Sequence, residues 1–93
     1  MQRLNQLRKQ IDRIDKQIFN LLVKRINTVK RISSFKRKHK LKTQDKHREK
    51  QIFDKLKNYS KKAKIPITFS NKVFRSIISY SKIIQKQSRR TKK

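Results

Sequence analysis

The chain has no cysteine, no glycine and no tryptophan, and only one proline. Without cysteine there can be no disulfide and no thiolate metal site. Without glycine there can be no Gly-rich phosphate loop. Acidic residues are scarce, with 5 Asp plus Glu against 30 Lys plus Arg, a formal net charge of +25. Long apolar runs are also missing, and none approaches the ~18 residues of a membrane span. The N-terminus is polar from Gln2 onward, with no apolar core of a signal peptide. The expected compartment is therefore a reducing cytoplasm, with no membrane partner.

What is present is basic and helical. A chain this positive repels itself, so its expected partners are anions: nucleic acid, an anionic surface, or a small anionic metabolite. Lys, Ile and Asn are used heavily and Ala once, as codons rich in A and T would produce. On that reading much of the charge is background. Its 93 residues make one small domain, 1–93, whose last residues, about 88–93, read as a frayed basic tail.

The spacing predicts an all-α fold of three helices, one of them very long. Leu4, Leu7, Ile11, Ile14, Ile18 and Leu21 step by threes and fours, one face of a helix from about Gln2 to Lys38. The stripe resumes at Ile32 and Phe35, and Arg25 and Thr28 interrupt it. His39 to Gln44 reads as a basic connection. Asp45 is the expected N-cap of a second helix, Lys46 to about Lys62, with Ile52, Phe53, Leu56, Tyr59 and Ala63 inward. Pro66 ends that pattern. A third helix starts near Pro66–Thr68 and runs to about Gln87, burying Val73, Phe74, Ile77, Ile78 and Ile84. At 1.5 Å per residue the first helix is roughly 55 Å long. Two shorter helices of the same chain cannot cover it, which points to a homodimer.

At 100° per residue, Arg25, Ile32 and Lys36 fall within about 20° of one line, with Arg25 and Lys36 roughly 16 Å apart along the axis. Two long cationic side chains at that separation suit the two ends of a small dianion. Arg8 is about 25 Å from Arg25 and cannot reach the same ligand from its own chain. Two first helices paired antiparallel about the middle of the stripe would bring a partner's Arg8 opposite about position 31. Asp45, Arg48 and Glu49 form a second cluster, with Glu49 bordering the core and an intrahelical ion pair as its ordinary reading. Ser81 and Gln85 form a third, on a face continued by Phe74, Ile77 and Ile78, where buried polar groups need partners. His39 and His47 lack metal-ligand company and read as solvated.

With these residues in view, the sequence resembles the all-α chorismate mutases of the bacterial type found at the start of bifunctional phenylalanine- and tyrosine-pathway enzymes. Leu7-Arg8, Ile11-Asp12, Ile14-Asp15, Ile18, Leu21-Leu22 and Arg25 look like that family's first-helix signature. Lys36, Asp45, Arg48-Glu49, Ser81 and Gln85 follow at the family spacing, so the resemblance covers about Leu7 to Gln87 without a gap. It implies an intertwined homodimer with composite active sites that rearranges chorismate to prephenate without cofactor or metal. It also implies roles. Arg25, and Arg8 from the partner chain, would grip the substrate's carboxylates. Lys36 and Gln85 would hydrogen-bond the ether oxygen. Glu49 would accept from the ring hydroxyl, helped by the backbone near Asp45. Arg48 and Ser81 would complete the polar lining, with Ile32, Ile52 and Ile78 as apolar walls.

The sequence departs from the family at three places. Lys82 stands where an apolar residue usually lines the pocket, and is expected to snorkel or to weaken substrate binding. Ser33 replaces a small residue, often glycine, and Lys42-Thr43-Gln44 lacks a common proline. An isochorismate–pyruvate lyase of the same fold is the nearest alternative function, and the full set including Glu49 and Ser81 favours the mutase. A basic nucleic-acid-binding helical protein is the alternative from another class. Against specific binding, the cations surround all three helices and no aromatics interleave with them. Whether the chain is a whole enzyme or the front domain of a longer one is open.

Overall fold

A computed structural model describes residues 1–42 and 45–91. The described residues form three helices and no strand: α1 (Gln2–Lys38), α2 (Lys46–Ala63) and α3 (Ile67–Thr91). Among them, none is long and apolar enough to cross a membrane. Asp45 caps α2 as expected, its backbone extended and its carboxylate accepting from the Arg48 amide at 2.9 Å. Pro66 starts α3, its carbonyl accepting from the amides of Phe69 and Ser70.

The two interior helix ends are built without glycine. Lys40 and Lys64 both take the left-handed conformation, each at φ 57°. The amide of Leu41 reaches back to the carbonyl of Lys36 (2.7 Å) and that of Lys40 to Arg37 (3.3 Å). Ile65 and Lys64 repeat the pattern on Ser60 (2.9 Å) and Lys61 (3.3 Å). Both are the paired six-to-one and five-to-two bonds of a Schellman motif. A lysine in this region carries a steric cost of about 1–2 kcal/mol that glycine does not.

The third helix is longer than its sequence pattern predicts. It continues past Gln87 to Thr91, so the first part of the expected tail is helical. Arg37 of α1 donates to both the carbonyl and the hydroxyl of Ser88, tying the ends of α1 and α3 together. The remainder of the expected tail, Lys92 and Lys93, lies outside the described residues, as do Thr43 and Gln44 of the basic connection.

α3 packs on both α1 and α2, while α1 and α2 do not pack on each other. The chain measures 58 × 28 × 15 Å, so its thickness is little more than one helix. Its radius of gyration is 17.0 Å, against about 12 Å for a compact domain of this length. The core is correspondingly thin. Val29, Leu56, Ile78 and Ile84 are its buried apolar residues among those described. Tyr59, Ala63 and Val73, expected inside, are exposed in the single chain.

α1 uses two faces. Against α3 it turns Leu22, Ile26, Val29 and Ser33, of which Val29 and Ser33 are buried. Ser33 is only 2% exposed, and its small side chain lets the helices approach. The more regular stripe lies one residue back in register and stays uncovered: Leu7, Ile11, Ile14, Ile18 and Leu21 are all 40–62% exposed. At the far end of α2, the Ser60 hydroxyl donates to Ser70 at 2.7 Å, fastening α2 to the start of α3.

Replacing Lys64 by glycine should raise stability by up to about 1 kcal/mol, because the left-handed position no longer opposes a Cβ. Lys64→Ala should show no such gain. Urea midpoints of the three proteins check this.

Candidate active site

The site follows from α3 separating α1 and α2. Where the start of α2 comes alongside the C-terminal half of α1, a cleft of about 250 Å³ opens with α3 as its floor. α1 contributes Arg25, Ile32 and Lys36, which share one face by spacing. The first turn of α2 contributes Asp45, Arg48 and Glu49, held in place by the Asp45 cap. α3 contributes Ser81, Lys82 and Gln85, with Ile78 one turn below. Ile52 completes the apolar wall with Ile32 and Ile78. Seven of the eight sequence-predicted site residues therefore meet in one cleft. Arg8 does not, and lies exposed on the N-terminal half of α1.

Hydrogen bonds order the cleft. The Arg25 guanidinium donates to the Ser81 hydroxyl, which in turn donates to the Ile77 carbonyl at 3.0 Å. Ser81 is thus a satisfied buried polar group that also orients a cation. The Lys36 ammonium donates to Gln85 Oε1 at 3.2 Å. An ammonium has only donors, so the amide oxygen must face it, and the Gln85 NH₂ becomes a donor beside Lys36. Two donors, one charged and one neutral, are thereby set side by side on the cleft wall.

Electrostatics point to an anion. Partial burial first, and the neighbouring Arg48 cation second, hold the Arg25 pKa below its ordinary value. Arginine remains charged even so, so the cleft holds a partly desolvated guanidinium against another cation. A bound carboxylate would relieve both effects. Four cations and two carboxylates line the cleft, leaving an excess of two positive charges.

Two features were missed in the sequence. Lys82, expected to snorkel or to weaken binding, has a partner that the sequence did not suggest: its ammonium pairs with Glu49 Oε2 at 3.0 Å. Glu49 consequently bonds across to α3 and not along its own helix. The second feature is an apolar hollow of about 210 Å³ sharing Arg25 and Ser81 with the cleft, lined also by Leu22, Ile26, Ile77 and Tyr80. Nothing in the spacing of α1 singles out Leu22 and Ile26, because the stronger stripe hides them.

Comparison with known proteins gives a consistent result. Residues 7–86 match the family described as "Chorismate mutase type II". A chorismate mutase of Methanocaldococcus jannaschii is 30% identical over 87 residues, covering 94% of this chain and 88% of its own length. The bifunctional chorismate mutase/prephenate dehydratase of Aquifex aeolicus is 43% identical over 61 residues, 66% of this chain but only 17% of that protein. The corresponding bifunctional protein of Buchnera aphidicola is 36% identical over 80 residues, 86% of this chain and 21% of its own. No solved structure matches significantly. With the family matched through all three helices and a mutase of similar length aligned nearly end to end, the chain belongs to the type II chorismate mutases.

Proposed function

We propose that the chain acts as a homodimeric chorismate mutase, each cleft rearranging chorismate to prephenate with one arginine from the second copy. The observation that carries this reading is the Lys36–Gln85 pair at 3.2 Å, which sets two hydrogen-bond donors where one oxygen can meet both. The reaction is pericyclic. A C–O bond breaks as a C–C bond forms, and no proton is transferred, so no general base is needed. Catalysis then rests on holding a flexible dianion in a compact chair, and on stabilising the charge that grows on the ether oxygen. A rate gain near 10⁶ corresponds to about 8 kcal/mol, within reach of those two effects. Arg25 grips one carboxylate, oriented by Ser81. Glu49 accepts from the ring hydroxyl beside the capped start of α2. Arg48 completes the cationic lining, and Ile32, Ile52 and Ile78 exclude water from the ring.

The second copy enters through Arg8 and the uncovered stripe. Arg8 is seventeen residues before Arg25 on the same straight helix, so its own cleft is out of reach. A second α1 laid antiparallel on the stripe brings the partner's Arg8 toward the cleft. The hollow beside Arg25 offers that helix an apolar seat. Covering the half-exposed stripe contributes roughly 1 kcal/mol per large side chain, and gives a chain one helix thick the second layer that a stable core needs.

The direct test is loss of chorismate absorbance on adding the purified chain, with Arg25→Ala as the inactive control. Lys36→Ala should lower kcat by about 10²–10³ while raising KM far less, and a near-normal kcat would remove Lys36 from the mechanism. Gln85 donates as a neutral amide, so activity should persist at neutral pH. Gln85→Glu donates only when protonated, and its activity should be confined to acid pH, as a pH–rate profile will show. Arg8→Ala and Arg25→Ala chains should each be inactive. Mixed in equal amounts and allowed to exchange, they should recover about a quarter of normal activity, because half the dimers are mixed and each of those has one intact site. No recovery in a sample shown to contain mixed dimers would refute the composite site.

A further inference from the structure

The interaction left over from the site just described is the Lys82–Glu49 ion pair. It joins α3 to α2 across the cleft, Nζ to Oε2 at 3.0 Å, with side chains 36% and 27% exposed. It differs from the other ion pair nearby, Lys50–Asp54, which lies along the outside of α2 with both side chains more than half exposed. A surface pair of that kind contributes little. Lys82–Glu49 lies instead within the wall of the cleft. Glu49 is also the one acid of the five in the chain that is not exposed.

That carboxylate presents a problem for a dianionic ligand. A bare Glu49 would repel both carboxylates of the substrate, and its side chain would be free to turn toward Arg48 or into water. Lys82 removes both difficulties. Its ammonium offsets the local negative charge and engages one oxygen. A carboxylate accepts at either oxygen, so Oε1 remains to accept a hydrogen bond from the hydroxyl. Placement supports this role. On α3, Lys82 is one turn after Ile78 and three residues before Gln85, the helical neighbours on one face, and all three line the cleft.

We propose that Lys82 is a positioning residue for recognition of the substrate's ring hydroxyl, holding the Glu49 carboxylate by its Oε2 so that Oε1 meets the hydroxyl. The proposal rests on the mutase reading above and adds a residue to it. The hydroxyl neither makes nor breaks a bond in the rearrangement, so the contact is present in ground state and transition state alike and is expected mainly in KM. A hydrogen bond to a charged group of this kind corresponds to about tenfold in affinity.

The experiment is steady-state kinetics on chorismate for the unaltered chain, Lys82→Met, Lys82→Arg, Glu49→Gln and the Lys82→Met/Glu49→Gln double variant, with urea midpoints for each. Lys82→Met should raise KM about tenfold with kcat within about twofold. Lys82→Arg, which keeps the cation, should stay within about threefold of the unaltered KM. On the Glu49→Gln background, adding Lys82→Met should change KM by less than about twofold, because the two residues act as one unit. The proposal is overturned if Lys82→Met lowers only the urea midpoint and leaves KM unchanged, since the pair is then only a clip between helices. It is equally overturned if Lys82→Met improves KM, or if its effect is undiminished on the Glu49→Gln background. Failure of the unaltered chain to consume chorismate would overturn the mutase reading, and this proposal with it.

Discussion

The constraint on which this structure depends is a mismatch of length. α1 has 37 residues, while α3 has 25 and α2 has 18. A helix of 37 residues cannot be wrapped by two such partners, and the chain settles as a plate 15 Å thick. Apolar burial is the main driving force for folding, and a single layer of helices has little interior to bury. The two faces of α1 express that shortage. One, through Val29 and Ser33, serves its own chain, and the other is left apolar and open. Arg25 sits where these faces meet, and it is also where the cleft begins.

The same geometry accounts for the cleft. Because α3 lies between α1 and α2, the outer helices stand apart, and the gap between them is lined from three sides. Each helix supplies a different chemical part. α1 supplies cations at helical spacing, α2 supplies a capped first turn with Arg48 and Glu49, and α3 supplies neutral polar groups that orient the cations of α1, together with Lys82, which pairs Glu49. The Arg25–Ser81 and Lys36–Gln85 bonds are cross-helix bonds of this kind. Each holds a half-buried cation of α1 against a polar group of α3, an arrangement that suits the function proposed above. The dimer we propose adds to the grip without changing its logic, since the exposed stripe that a second copy would cover also carries Arg8.

Much of this was legible in one dimension. The three helices follow from threes and fours of apolar spacing, from Asp45 as a cap and from Pro66 as a break. Arg25 stood out because a cation interrupted an apolar seam, and Lys36 because it shared its line. Several features had no such signal. The ends at Lys40 and Lys64 use a left-handed backbone with no glycine to announce it. The part of α3 beyond Gln87 meets Arg37 of α1 through Ser88, fifty-one positions away in the chain. The faces that Tyr59 and Val73 present are set by how α2 and α3 cross, and in the single chain both are exposed.

Read along the chain, the residues establish what is periodic or local: three helices, the span of α1, the Asp45 cap, and a line of cations suited to a small dianion. They also carry the family, because the spacing of the polar positions survives in the linear order. Which face of α1 its own chain uses, that Glu49 is partnered by Lys82, and that Ser81 and Gln85 aim Arg25 and Lys36 become visible only with the helices packed together. The reason is physical. Helical periodicity is fixed by 3.6 residues per turn and can be counted along the chain. Contacts between helices depend instead on crossing geometry and on competition among 30 basic side chains for five acids. Such competition is resolved by distance in space, and linear spacing does not record it.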